Sequence, residues 1–307
     1  MEIIVLSGGL GNQMFQYALY LKLKSMGREV KFDDFTEYAL PGARPIQLWT
    51  FGLTYPVATQ EELNKITDGF LGLPHKIRRK LFGRKSLEYQ ENSCNFDPRI
   101  LEKDPAYLVG YFQSEKYFRD IESRVREAFV FQPVISEKLD KELQNRLEEY
   151  RREMEGEQSV SLHIRRGDYL ENDEVFGESC TSAYYESAIT QIKKRIITPV
   201  FYVFSNDEEW AEKWCEEQRL LHGCRFETVK GFPEEKGYLD MDLMSRCRYH
   251  IIANSSFSWW GAWMDNRADK VVIAPAKWFN NKECYDIYTK DMIKISPEGI
   301  VEKDDRK

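Results

Sequence analysis

The chain is poor in the residues that build metal centres and disulfide scaffolds. It has only 4 His and 6 Cys in 307 residues, and Cys94, Cys180, Cys215, Cys224, Cys247 and Cys284 never fall in a Cys-x-x-C pair. Zinc-ligand spacing is therefore missing, and a chain this long needs no disulfide framework to fold. A basic excess is missing too. Lys plus Arg total 44 against 51 Asp plus Glu, a net charge of −7 with a pI near 5.4, which argues against a dedicated nucleic-acid binder. No run approaches the ~18 uninterrupted apolar residues of a spanning helix. The opening Met1-Glu2-Ile3-Ile4-Val5-Leu6 lacks a basic flank and stops too soon for a signal peptide or anchor, so it reads as a buried first strand. No fixed-period repeat or low-complexity tract is present. These absences lead to the expectation of a cytoplasmic protein with reduced thiols, no transmembrane segment and no nucleic-acid partner.

What is present can fill real cores: apolar residues make up 42% of the chain and aromatics 14%. The length exceeds what one core usually organises, so two domains are expected. The N-terminal part runs strand (Glu2 to Leu6), glycine turn (Ser7 to Gln13), helix (Met14 to Met26) and strand (Val30 to Phe32), the beginning of a parallel α/β sheet. Residues 38–70 have no readable pattern. Ala106 to Phe112 reads as a buried strand, followed by a helix to about Phe129. Residues 136–154 form the most regular helix, with Leu139, Leu143, Leu147, Tyr150 and Met154 as one apolar stripe. A boundary just before it gives an N-terminal domain of residues 1–134 and a C-terminal domain of residues 135–307. From Ser159, strands at Ser159–Ile164, Val200–Phe204, Phe226–Val229, Tyr249–Ala253 and Lys270–Ala274 alternate with helices at Ser182–Ile196, Asp207–Gln218, Tyr238–Cys247 and Ser258–Asn266. That alternation predicts a doubly wound parallel sheet with ligands at the carboxyl ends of its strands.

Three clusters carry chemistry. Gly8-Gly9-Leu10-Gly11-Asn12-Gln13 is neither a P-loop, since no Gly-Lys-Ser/Thr follows, nor a dinucleotide fingerprint, since Met14 stands at the third glycine position. Asn12 and Gln13 nevertheless place side-chain amides, and the helix start places backbone N–H groups, where a polar ligand would sit. His163-Ile164-Arg165-Arg166-Gly167-Asp168 delivers two guanidinium groups and a carboxylate to the end of a buried strand. Adjacent arginines repel, so keeping both there points to an anionic client, and the planar fork of Arg suits a diphosphate. In Ile251 to Trp263 a strand empties into Asn254-Ser255-Ser256-Phe257, and hydroxyls at a helix N-terminus make a phosphate seat, while Trp259, Trp260 and Trp263 read as core filler. Ser205-Asn206-Asp207, at another strand end, suits a base or ribose. Asp240-Met241-Asp242 spells D-x-D, but two such side chains on a helix stand roughly 200° apart, poor geometry for one cation, so the site is expected to work without metal or cofactor.

With these clusters assembled, the sequence resembles the α-1,2-fucosyltransferases of glycosyltransferase family 11. The matching stretches are Gly8 to Ala18, Gly110-Tyr111-Phe112-Gln113-Ser114-Glu115-Lys116-Tyr117-Phe118, His163 to Asp168, Phe204 to Asp207, and Asn254 to Ala262. The resemblance implies an α/β, GT-B-like architecture of two Rossmann-like domains facing a cleft, the C-terminal one binding the donor GDP-L-fucose. It implies that Arg165 clamps the β-phosphate with Arg166 in support, that His163 and Asp240 contact guanosine, that Ser255, Ser256 and Phe257 form the other phosphate wall, and that Asn12 reaches the fucose or phosphate. Gly11, Gln13, Ser205, Asn206, Asp207 and Asn254 complete the expected donor contacts. The implied reaction is inverting and metal-independent: the 2-hydroxyl of a galactose in a glycan acceptor attacks the fucose anomeric carbon as GDP leaves. The catalytic candidates are Arg165, Asn12 and Asp168. A carboxylate beside two arginines has its pKa lowered by ~1–3 units, which makes Asp168 a better arginine orienter than base. Glu115, Asp33 and Asp34 stand as unranked alternatives. Another GDP-sugar transferase, such as one making a 1,6 linkage, a non-catalytic nucleotide- or glycan-binding module, and a metal-dependent GT-A enzyme are the competing readings. Finally, Leu73, Ile77 and Leu81 lie four apart among six Lys and Arg between residues 71 and 85. This reads as a solvated helix face or, for a lipid-linked acceptor, as a peripheral membrane contact through 73–85.

Overall fold

The computed structural model describes residues 1–166 and 179–302; Asp168 lies outside the described residues. The chain divides into two compact units, Met1–Val130 and Phe131–Lys307. The first contains β1 (Glu2–Val5), α1 (Leu10–Ser25), β2 (Val30–Asp33), α2 (Gln60–Thr67), α3 (Leu73–Phe82), β3 (Glu88–Gln90), β4 (Ala106–Val109) and α4 (Glu122–Ala128). Its sheet is parallel throughout, in the order β2-β1-β4-β3. Ile4 pairs with Phe32 on one side and Leu108 on the other, and Ile3, Ile4, Val5 and Leu6 are all buried. A central parallel strand covered on both faces needs this unbroken apolar run.

Helix α1 begins at Leu10, ahead of the expected Met14, because Gly8 makes the turn alone. It adopts φ +71°, a conformation open to a residue without Cβ, and a Cβ there would come within 2.5 Å of Asn12 Nδ2. Gly11, Asn12 and Gln13 thus lie in the first helical turn. The helix expected after Ser114 is interrupted by two 3-10 turns, Glu115–Tyr117 and Arg119–Ile121. Phe118 leaves the helical conformation between them (φ −138°, ψ 8°) and buries its ring 6.4 Å from that of Phe15.

The second unit contains α5 (Val134–Glu137), α6 (Lys141–Met154), β5 (Ser159–Ile164), α7 (Ser182–Lys193), β6 (Val200–Ser205), α8 (Glu208–His222), β7 (Arg225–Thr228), α9 (Tyr238–Arg246), β8 (Tyr249–Ile251), α10 (Ser256–Met264), β9 (Val271–Pro275) and β10 (Met292–Ile295). The single helix expected over 136–154 breaks at Asp140, whose carboxylate caps α6 by accepting the Leu143 N–H at 2.9 Å. β10 is a strand that the sequence pattern did not announce. The parallel sheet runs β10-β9-β8-β5-β6-β7. Val160, Leu162, Ile164, Phe201, Val203 and Phe226 of the sheet pack with Tyr184, Ala188, Ile189 and Ile192 of α7 into one core. Trp259 and Trp260 are fully buried, the filler role expected of them.

Both units are Rossmann-like, and in each the chain works outward from its first strand in one direction and then returns to that strand's other side. The reversal falls between β1 and β4 in the first unit and between β5 and β8 in the second. Ligands of doubly wound sheets bind outside the carboxyl ends of the strands at such switch points. Among the described residues no helix is long and apolar enough to cross a membrane. Cys180, Cys215, Cys224 and Cys247 are free cysteines.

Candidate active site

The carboxyl end of β5 is built around Arg166. Ile164 lies opposite Ser205 of β6, so the two strands end level and their exit loops meet. Asn206 Oδ1 accepts the Arg166 backbone N–H at 2.9 Å, Asp207 Oδ2 accepts Arg166 Nε–H at 3.3 Å, and the guanidinium lies over the Trp210 ring, 4.1 Å from its centroid. Asp207 also caps α8, accepting the Trp210 N–H at 3.1 Å, while Ser205 Oγ accepts the Asp207 N–H at 3.2 Å. Ser205, Asn206 and Asp207, expected to read a base or ribose, are therefore engaged as a brace on Arg166. That brace fixes the main chain that carries Arg165, which is half-buried beside it.

His163, one residue from the strand end, is buried, and its Nδ1 has no hydrogen-bond partner. Burial, reinforced by the nearby Arg165 charge, pushes its pKa down to about 3, so the ring is neutral at physiological pH. Its ring centroid lies 6.0 Å from that of Phe257, which brings the end of β5 and the first turn of α10, after the loop that follows β8, together at the switch point. Within that loop two expected donor contacts are otherwise engaged. Asn254 is buried and its amide donates to the Trp278 carbonyl at 3.0 Å. Ser255 is the N-cap of α10, its hydroxyl accepting the Phe257 N–H at 3.3 Å, the ordinary capping role. Ser256 opens the helix beside it.

The two aspartates of D-x-D part company as the helical geometry requires. Asp242 is buried, and its carboxylate is held by Arg151 of α6 at 2.8 Å and by Arg246 at 3.2 Å. Asp240 keeps contact with solvent, yet desolvation, with the charge of Glu208 as a smaller cause, raises its carboxyl to about 7. No grouping of three or more His, Cys, Asp or Glu suited to a metal ion occurs among the described residues.

The first unit's switch point is held by amides. Gln113, after β4, donates to Asn12 Oδ1 at 2.8 Å. Gln16 donates to the Ser7 hydroxyl at 3.0 Å and to the Gly110 carbonyl at 2.8 Å. Glu91 accepts the backbone N–H groups of Tyr111 and Phe112 at 2.8 and 3.1 Å, holding Phe112 at φ +54°. Gln13, one of the expected donor contacts, is fully buried. Its amide nitrogen donates to Gly8 O, Tyr38 Oη and Pro45 O at 2.9 to 3.0 Å, and its oxygen accepts from Gln47 N at 2.9 Å. Gln13 thus pins the loop 38–47, whose Tyr38 and Arg44, with Glu37, Gly8, Gly9 and Asn12, line an open cavity of about 370 Å3. Gly11 is buried within α1. Sequence reasoning missed Glu37, Tyr38 and Arg44, because their loop has neither period nor motif. Of the alternative bases, Asp33 is buried and accepts from Thr36 Oγ1 at 2.6 Å and Tyr107 Oη at 2.8 Å. Glu115 is paired with Arg119, and Asp34 accepts from Tyr55 Oη at 3.4 Å.

Two parallel Rossmann-like sheets, each with a polar cluster at its switch point, define an α/β fold of the GT-B class. The fold is that of POFUT1 in complex with GDP-fucose, matched with a TM-score of 0.50 at 13% identity over 90% of this chain and 98% of that one. The sequence profile of glycosyl transferase family 11 matches residues 99–296. An alpha-1,2-colitosyltransferase of Escherichia coli is 34% identical over 290 residues, 92% of this chain and 94% of that protein. The O-antigen biosynthesis glycosyltransferase WbnK of the same organism is 34% identical over 90% of this chain and 95% of its own length, and the galactoside alpha-(1,2)-fucosyltransferase 1 of Alouatta caraya is 28% identical over 84% of this chain and 63% of its own. The chain belongs to glycosyltransferase family 11.

Proposed function

We propose that the protein transfers L-fucose from GDP-β-L-fucose to the 2-hydroxyl of a galactose in a glycan acceptor, with inversion to an α-1,2 linkage and without a metal ion. The observation that carries this reading is the brace on Arg166, which presents Arg165 beside the buried, partnerless nitrogen of His163 at the β5/β8 switch point. A diphosphate fits the guanidinium fork, and a neutral imidazole offers one hydrogen bond to the nucleoside without adding charge.

In the reaction the acceptor oxygen bonds to the fucose anomeric carbon on the face opposite GDP. The bond from that carbon to the β-phosphate oxygen breaks, its electron pair leaves with GDP, and the acceptor proton passes to a base or to water. Negative charge grows on the β-phosphate as the sugar acquires oxocarbenium character, so a fixed Arg165 stabilises the transition state more than the ground state. Asp168 stays the candidate base or arginine orienter. Asn12, oriented by Gln113 on the rim of the 370 Å3 cavity, is the candidate contact for the transferred sugar. The names of the relatives support an α-1,2 linkage.

One relative transfers colitose, the 3-deoxy counterpart of L-fucose, and GDP-colitose is accordingly the second donor reading. The test offers purified protein both donors with lactose in the presence of a chelator and determines the product linkage. An α-1,2-fucosyl product at an undiminished rate is expected. Exclusive use of GDP-colitose, a 1,6 linkage, loss of turnover in chelator, or GDP binding without turnover of either donor would each overturn the corresponding part of the proposal.

A further inference from the structure

Helix α3 is attached to its unit the wrong way round for a globular protein. Arg79 donates to the carbonyls of Asp68 and Phe70, both at 2.8 Å, Arg78 is salt-bridged to Asp68, and the His75 ring stacks on Phe70 at 4.8 Å. The polar side thus faces the protein. Leu73, Ile77 and Leu81, one stripe at i, i+4 and i+8, are 70%, 51% and 68% exposed, and Leu71 and Phe82 beside them 80% and 72%. No residue of α3 is buried. A surface helix ordinarily turns such a stripe to the core, and a contiguous group of large exposed apolar side chains marks a surface that meets a partner.

Charge selects the partner. Residues 71–85 carry Lys76, Arg78, Arg79, Lys80, Arg84 and Lys85 and no Asp or Glu, in a chain whose net charge is −7. A symmetric contact with a second copy would set these cations against themselves, because the same patch serves both partners of a two-fold dimer. A bilayer with anionic headgroups instead accepts the apolar stripe at the acyl boundary and the flanking Lys76 and Lys80 at the phosphates. We propose that α3 docks this protein peripherally on anionic membranes, independently of which donor and acceptor it uses.

The test is co-sedimentation of the full chain with phosphatidylcholine vesicles and with mixed phosphatidylcholine–phosphatidylglycerol vesicles. Binding to the mixed vesicles alone is expected, weakening as salt rises. Replacing Leu73→Ser, Ile77→Ser and Leu81→Ser together should lower it by ~10-fold or more, and K76E with K80E should lower it too. None of these side chains is buried, so turnover of a soluble acceptor should be unchanged, a control that separates lost docking from lost folding. The proposal is overturned by a wild-type protein that stays with the supernatant of anionic vesicles, by triple-serine protein that binds them as wild type does, or by a solution dimer that Ile77→Ser dissociates.

Discussion

The two switch points are stitched by the same device from different chemistry. In the N-terminal unit an amide from the neighbouring strand's exit, Gln113, fixes Asn12; in the C-terminal unit another, Asn206, fixes the backbone of Arg166. Around the first, the side-chain donors are amides, with the Glu91 carboxylate accepting only backbone N–H groups: Gln16 joins Ser7 to Gly110 and Gln13 ties the 38–47 loop. Around the second the partners are ionic and aromatic, with Asp207 on one edge of the Arg166 guanidinium and Trp210 across its face. Neutral amides fix direction without imposing a field, which suits the hydroxyls of a sugar. The second arrangement solves an electrostatic problem. Arg165 and Arg166 repel, and drawing Arg166 onto a carboxylate and a π-face lets both cations stand at one strand end. Burial first, and then the neighbouring Arg165 charge, hold His163 neutral beside them.

The largest effect expected is at Arg165. Arg165→Ala should slow turnover by ~10²–10³-fold, the cost of removing one preorganised donor from a developing anion. Arg165→Lys should be nearly as damaging, because a point charge cannot reproduce the fork. Wild-type turnover by the Lys variant would reduce this strand end to a diffuse positive patch. Smaller effects should follow the division between the units. Trp210→Leu removes the face on which Arg166 lies and should weaken GDP binding ~2–30-fold, measured by calorimetry, and Asn206→Ala by ~2–10-fold. Gln113→Ala should lower kcat by a similar ~2–10-fold while leaving GDP affinity unchanged, and Gln113→Glu should not restore it, since a carboxylate cannot donate to Asn12 Oδ1. The opposite assignment, with GDP affinity lost at Gln113 and kept at Trp210, would break the distinction between the two stitches.

Much of the fold was legible because it rests on local signals. The strand Ser159–Ile164 alternates Val160, Leu162 and Ile164 with Ser159, Ser161 and His163, is buried throughout and matches β5 residue for residue, and the glycine after β1 announced its turn. Breaks inside helices were less legible: Asp140 looks like any polar residue in a helical stripe until its carboxylate is seen capping Leu143. Among the site residues, position was readable where a motif ends a buried strand: Arg165 and Arg166 do stand at the carboxyl end of β5. What the sequence does not reveal is which of these side chains also brace the protein's own structure. Gln13, Asn254 and Asp207 are polar and sit next to glycine turns or strand ends, and their hydrogen bonds go to Tyr38 and the backbone of Gly8, Pro45 and Gln47, to the Trp278 carbonyl, and to Arg166. Glu37, Tyr38 and Arg44 were invisible because a cavity assembled by a pinned loop has no periodicity.

Asp240 gives the mildest and most discriminating test of the ionic switch point. Its carboxyl is raised to about 7, chiefly by desolvation and then by the charge of Glu208, so it is about half protonated near neutrality in the unliganded protein. The unfolded chain releases this proton at the ordinary carboxylate pKa, well below 7. The folded protein therefore binds more protons between those values, and this group's contribution to stability falls as pH rises through that window. A guanine base donating N–H groups to Asp240 would favour the carboxylate, so GDP binding should expel the proton. GDP affinity should then rise by up to ~10-fold between pH 6 and pH 8 and level off above, following the ionised fraction of a single group. His163, held near 3, stays neutral across this range and contributes no slope. The terminal phosphate of GDP titrates near 6 and does contribute, which is why the informative quantity is the difference between wild type and Asp240→Asn. The variant should retain only the nucleotide's own slope. Equal slopes in the two proteins would remove Asp240 from the guanosine contacts and shift base recognition to His163 and the loop after β8.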